Sequence, residues 1–191
     1  MNHSLMDIKK DIDQYKSGHI LFLFDDADIY IKAASAYILS GVEQGDQIIV
    51  IENERMAVLL EKQLKGILTK KQLANVHFLN NFDFYYSNGN FHTPTIVAYF
   101  LKVVQPLIDA NQRFRTWAHI EWGEIGDIKY EIDDYEKNSE VTVNAMKLLS
   151  VCAYNKERLP AKIKTSLLNS HRYLMTGNGI IQHEKTDAAN E

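Results

Sequence analysis

The chain has one cysteine, three prolines and no glycine-rich phosphate loop in its 191 residues. Each scarcity excludes something. With only Cys152, no internal disulfide forms, and a reducing, cytoplasmic setting is the expectation. So few prolines, with no low-complexity stretch and no internal repeat, leave nothing that marks an interdomain linker. No apolar run approaches the roughly 20 residues of a membrane-spanning helix. The opening MNHSLMDIKKDIDQYKSG lacks the apolar core of a signal peptide. Lysine and arginine (21) are outnumbered by aspartate and glutamate (25), giving a net charge of −4. No cluster of positive charge is present, so neither nucleic acid nor an anionic membrane is an expected partner.

What remains is an ordinary globular composition, 46% hydrophobic and 24% charged, long enough for one domain with a substantial core. Continuous apolar runs at Ile20–Phe24, Gln47–Ile51, Val76–Leu79, Phe114–Trp122 and Leu148–Tyr154 have the form of strands covered on both faces. Between them lie helical periodicities, including Ile31, Ala34, Ile38 and Val42 after an N-cap expected at Asp28, and a long helix from Pro94 to Asn111. Tyr173–Gln182, split by Gly177-Asn178-Gly179, predicts a closing hairpin. Alternating strands and helices make the class α/β, with a mainly parallel sheet and helices on both faces. Residues 1–18 read as a polar N-terminal helix or arm, 19–182 as one domain, and 183–191 as a polar tail.

Four groups of residues invite chemistry. The turn Phe24-Asp25-Asp26-Ala27-Asp28 follows the first strand, where open α/β sheets bind ligands. It has no glycine and no Lys-Ser/Thr pair, so triphosphate is disfavoured; the carboxylates either cap the helix or meet a neutral or cationic ligand. Alternation puts Arg115, Trp117, His119 and Glu121 on one face of the fourth strand. His119 and Glu121 could share a metal with Glu124 or His171, but no tight ligand motif is present, and a salt bridge from Arg115 to Glu121 is the simpler expectation. The aromatic loop from Phe82 to Phe91, with its Asn88-Gly89 turn, either forms a satellite core or walls an apolar pocket. Cys152 with His171 suggests a nucleophile, yet a thiol within an apolar strand is expected to be an inert small hydrophobe.

Taken in order, these elements resemble the MEDS domain (methanogen/methylotroph, DcmR sensory) from about His19 to Leu174. The carriers are His19, Phe24-Asp25-Asp26, the Gly41-Val42-Glu43-Gln44-Gly45-Asp46 element and Tyr85 to Phe91. Arg115 to Trp122, Glu140 to Asn144, and Cys152-Ala153-Tyr154-Asn155 with His171 complete the set. His119, Ser139, Asn155 and Arg172 depart from the family's usual acidic residue, tyrosine, aspartate and proline. The resemblance implies a RecA-like, P-loop-type three-layer fold, related to circadian-clock-type ATPases, with a degenerate phosphate loop. It further implies a sensory or regulatory role in which a small organic, hydrocarbon-derived ligand is bound without nucleotide hydrolysis. The signal would pass to a separate kinase or transcription regulator, and homo-oligomers are compatible with it.

Combining residues and resemblance, the expected ligand site lies at the carboxyl edge of the sheet and comprises Asp25, Asp26, Tyr85, Glu121, Trp122, Tyr154 and His171. No catalytic residue, metal or cofactor is assigned, and the balance falls against an enzyme. The competing readings are an ATPase or metal-dependent hydrolase using Glu121 with His119 or His171, and a protein-interaction scaffold.

Overall fold

The computed structural model describes residues 4–123 and 128–183. In chain order it runs α1 (Leu5–Ile12), β1 (Gly18–Phe24), α2 (Ala27–Glu43), β2 (Gln47–Glu52), α3 (Glu54–Ile67), α4 (Lys70–Leu73) and β3 (Val76–Asn80). Then come α5 (Asn81–Tyr85), α6 (Thr93–Asp109), β4 (Phe114–His119), α7 (Lys129–Met146), β5 (Leu149–Asn155), α8 (Ala161–Ser170), β6 (Tyr173–Thr176) and β7 (Gly179–Gln182). The strands form one seven-stranded sheet in the order β3-β2-β4-β5-β1-β6-β7. Every neighbouring pair is parallel except the terminal β6–β7 hairpin.

Alternation along the strands divides the core between two faces. Ile20, Phe22, Ile48, Val50, Trp117 and Val151 pack under the side carrying α1, α2 and α3. Leu21, Ile49, Ile51, Ala118, Cys152 and Tyr154 pack under the side carrying α5 to α8. α2 is apolar almost all round because it is enclosed all round. Tyr30 and every residue from Ala33 to Val42 are buried, which is the behaviour of a core helix rather than of an amphipathic one.

The helix start differs from the sequence expectation: Asp26, not Asp28, is the N-cap, its carboxylate accepting the Ile29 amide at 2.9 Å. The N-cap must have extended backbone, and Asp26 has it (φ −120°, ψ 125°) while Asp28 already lies inside the helix. Part of the expected aromatic loop is also helical, as α5, capped by Asn80 through the Asp83 amide.

At the other end of α2, the Gly41–Asp46 element has a structural job. A β-carbon on Gly41 would lie 2.3 Å from the Ile48 Cδ1 and 2.9 Å from the Arg115 side chain, so glycine lets the helix approach the sheet. Gly45, at φ +82°, makes the turn. Asp46 then accepts from buried Arg115 at 2.5 and 2.9 Å. The expected Arg115–Glu121 bridge is therefore not formed, because Arg115 sits at the opposite end of β4 from Glu121.

Candidate functional site

Two buried polar centres occupy opposite faces of the sheet. The first lies between the sheet and α7–α8. His19 comes from β1, Cys152 from β5, Glu136 from α7, and His171 from the residue that ends α8. All four are buried, and one ligand atom from each lies within 4.8 Å of the others. His171 Nε2 is 3.2 Å and His19 Nε2 3.3 Å from Glu136 Oε2, and His19 Nε2 is 3.2 Å from the Cys152 sulfur.

Each of three side chains is held by its far atom. The His171 Nδ1 lies 2.9 Å from the Leu167 carbonyl, and the His19 Nδ1 lies 3.0 Å from Glu140. Carbonyls and carboxylates only accept, so both Nδ1 atoms carry the proton and both Nε2 lone pairs point inward. The Tyr154 hydroxyl donates to Glu136 Oε1, leaving Oε2 turned to the cluster. Neither His171 Nε2 nor Glu136 Oε2 makes a hydrogen bond among the described residues.

Burial dominates the acid–base properties here. It pushes the His19 imidazole below its usual value, assisted by His171. It raises the Cys152 thiol well above the ordinary range, with the Glu136 charge adding to it. Burial works against the Glu136 carboxylate as well, but His171, His19 and the Tyr154 hydroxyl outweigh it and hold that group below its usual value.

The second centre lies under the start of α2, at the carboxyl edge. The Trp117 indole donates to the Tyr30 hydroxyl at 2.7 Å, and Tyr30 donates to Glu52. His119 Nδ1 lies 2.6 Å from Glu52, and its Nε2 faces Glu121 at 3.8 Å. Glu121 also accepts from Asn53 at 2.7 Å and Asn81 at 2.9 Å. Burial opposes its charge, yet His119 and these amides keep its carboxyl below the usual value.

The seven residues expected to form one site are thus distributed. Asp25 pairs with Lys156 at 2.8 Å, on the exposed rim, beside Asp26 in its capping role. Glu121 and Trp122 lie near them at the edge, where the Arg158 guanidinium reaches Glu121 at 3.3 Å and the Trp122 carbonyl at 2.6 Å. Tyr85 is instead packed in the aromatic wall under the sheet, against Phe91 and Tyr135, where burial pushes its hydroxyl well above the usual range. His171 belongs to the first centre. It cannot join His119 and Glu121, since the sheet stands between them, and Glu124 lies outside the described residues.

Tyr154 links the two regions: its ring is 6.2 Å from that of Trp122 at the edge, while its hydroxyl holds Glu136 below. Beside the first centre lies a cavity of about 50 Å³, bounded by apolar side chains of the sheet, α5, α6 and α7, by Thr116 and Ser150, and by Cys152.

Sequence reasoning overlooked Glu136, Glu52 and Tyr30, and assigned Cys152 no part. Glu136 was detectable in principle, because it falls with Ile132, Tyr135 and Val143 on the buried side of α7. Glu52 likewise ends a run of four buried apolar residues in β2 while itself only 1% exposed. A carboxylate on an apolar face is the informative exception.

A seven-stranded, mainly parallel sheet with helices on both faces, whose first turn is built of aspartates, places the chain in the RecA-like class of α/β proteins. Solved structures agree on the fold. The flagellar accessory protein FlaH from Methanocaldococcus jannaschii is similar with a TM-score of 0.53 and 13% identity, over 88% of this chain and 75% of that one. A second solved structure, an isolated ATPase domain, is similar with a TM-score of 0.57 and 7% identity, over 100% of this chain and 80% of that one. No curated protein sequence matches. The profile of the MEDS family (MEthanogen/methylotroph, DcmR Sensory domain) matches residues 18–172, and the chain belongs to that family.

Proposed function

We propose that this chain is a cytoplasmic sensory domain that binds a small organic molecule and reports its occupancy to a separate kinase or transcription regulator, without hydrolysing nucleotide. The observation that carries this reading is the cavity beside Cys152. Its volume of about 50 Å³ is a third of the roughly 150 Å³ that encloses benzene, so it suits a molecule of a few heavy atoms. Apolar walls supply transfer free energy, and the Thr116 and Ser150 hydroxyls, 2.6 Å apart, offer one polar contact.

Two features argue against nucleotide at the first turn. Asp26 already takes the Ile29 amide that a phosphate would use, and Asp25 adds a second negative charge on the same rim. The route outward would be Tyr154, which touches both Glu136 and the Trp122 ring at the edge. Occupancy shifts the output only as far as the ligand prefers one arrangement of these groups to another. That no described helix is long and apolar enough to cross a membrane is compatible with the proposed setting.

The test is a thermal-shift screen of small alcohols, amines, thiols and halogenated hydrocarbons against the wild type and Ala118→Val, which narrows the cavity. A true ligand at a hundred times its dissociation constant adds about 2.7 kcal/mol, or roughly 5–10 °C in a domain of this size. That gain should vanish in Ala118→Val. A screen with no stabilising compound, or equal gains in both proteins, refutes the cavity as the site.

A second reading, hydrolysis, draws on the Glu52–His119–Glu121 series, because His119 Nε2 makes no hydrogen bond among the described residues and faces a carboxylate. ATP turnover by the wild type that is abolished in Glu121→Ala would establish it in place of the sensory proposal.

A further inference from the structure

We propose that His19, His171, Cys152 and Glu136 bind one divalent transition-metal ion of the zinc type between the sheet and α7–α8. The geometry carries this. Zinc bonds of about 2.0–2.1 Å to nitrogen and oxygen place tetrahedral ligand atoms roughly 3.3 Å apart, and somewhat farther when one is sulfur. The observed separations are 3.2 Å for His171–Glu136, 3.3 Å for His19–Glu136 and 3.2 Å for His19–Cys152.

Orientation agrees with spacing. Both imidazoles donate from Nδ1 to a fixed acceptor, and Glu136 is held through Oε1, so each presents its other atom to a common centre. This is the arrangement by which outer partners fix the tautomer and aim of metal ligands. Without a cation, two imine lone pairs face a carboxylate oxygen in a buried site, and His171 Nε2 and Glu136 Oε2 are left without hydrogen bonds among the described residues. A buried polar atom in that condition is costly.

Charge and donor type narrow the ion. A Cys152 thiolate and the Glu136 carboxylate neutralise a 2+ charge, so the loaded site is neutral where solvent cannot screen it. Binding releases the thiol proton to solvent, as metal–thiolate formation requires. Two imidazoles and a thiolate select zinc, cobalt or iron over magnesium and calcium, which prefer oxygen throughout. The site does not depend on the neighbouring cavity being a ligand site, because binding of the ion is read directly.

The experiment uses the full chain, stripped with chelator and titrated with Co²⁺. One equivalent should bind, with the visible bands of tetrahedral cobalt and a sulfur-to-cobalt charge-transfer band in the near ultraviolet. Zn²⁺ should abolish both. Cys152→Ser should lose the charge-transfer band while keeping the wild-type circular dichroism. X-ray absorption on the zinc-loaded wild type needs no variant, and should show one sulfur at about 2.3 Å with nitrogen or oxygen at about 2.0–2.1 Å. Failure of the wild type to bind either ion, an unchanged charge-transfer band in Cys152→Ser, or a zinc shell without sulfur overturns the proposal.

Discussion

Replacing Arg115 with methionine tests whether the Gly41–Asp46 element serves the fold rather than the site. The Arg115 side chain is 4% exposed and that of Asp46 8%, and the guanidinium donates twice to one carboxylate oxygen, at 2.5 and 2.9 Å. Methionine keeps most of the apolar stem that packs beside Gly41 but removes the charge. Breaking a buried pair from one side costs about 3–5 kcal/mol, because the remaining ion is stranded. Arg113 tempers this, reaching the other Asp46 oxygen at 2.8 Å from an exposed position. The expected cost is therefore at the low end, about 3 kcal/mol, equivalent to roughly 6–12 °C in melting temperature for a domain of this length. Urea denaturation should register it as a lower midpoint with unchanged slope. Arg115→Met combined with Asp46→Asn should be more stable than the two single costs sum to, with a coupling of about 2 kcal/mol. Additive single costs, or a cost below about 1 kcal/mol for Arg115→Met, would refute the account of this pair as a buried, mutually dependent one.

Two further expectations concern the ends of α2. Asp26→Ala should lower stability by about 1 kcal/mol through loss of the helix cap; if the Asp26 carboxylate instead serves only a ligand, chemical denaturation of the ligand-free protein will show no change. Near the other end, burial opposes the Asp13 charge, but Lys9 at 2.7 Å and Ser40 at 2.7 Å outweigh it and hold the carboxyl below its usual 3.8. A depressed carboxylate stabilises the fold above its unfolded value and loses that contribution as pH falls through its folded value. Docking of α1 on α2 should accordingly weaken below about pH 4, seen as faster amide exchange in α1, and Asp13→Asn should remove that part of the pH dependence.

The layered fold was readable because strand and helix periods are properties of consecutive residues. Ile20–Phe24 and Gln47–Ile51 declare buried strands regardless of their neighbours, and even the closing hairpin was written in Gly177-Asn178-Gly179. Strand order was not readable, since β1 lies between β5 and β6, and no local pattern encodes a pairing across more than a hundred residues. The choice between Asp26 and Asp28 as cap failed for a related reason. Both residue types suit the position, and backbone geometry alone separates them.

The site shows the same division more sharply. His171 and Tyr154 were singled out, and both take part in the buried centre, but with partners that the linear sequence keeps far from them. His19 meets Glu136, Cys152 and His171 only because β1 is inserted beside β5, while α7 and α8 cross on the same face. Cys152 illustrates what a one-dimensional reading lacks. Its apolar neighbours in sequence, Val151 and Ala153, point to the opposite face of the sheet, so they describe an environment that the thiol does not share. Its actual neighbours are two imidazoles and a carboxylate. A strand residue should therefore be judged by positions i ± 2 and by the strands beside it, where Tyr154 and Leu21 flank it and His19 reaches its sulfur. By that criterion the polar character of this face is a property of the fold's assembly, and its four convergent side chains are where a chemical role for the domain's interior is to be sought.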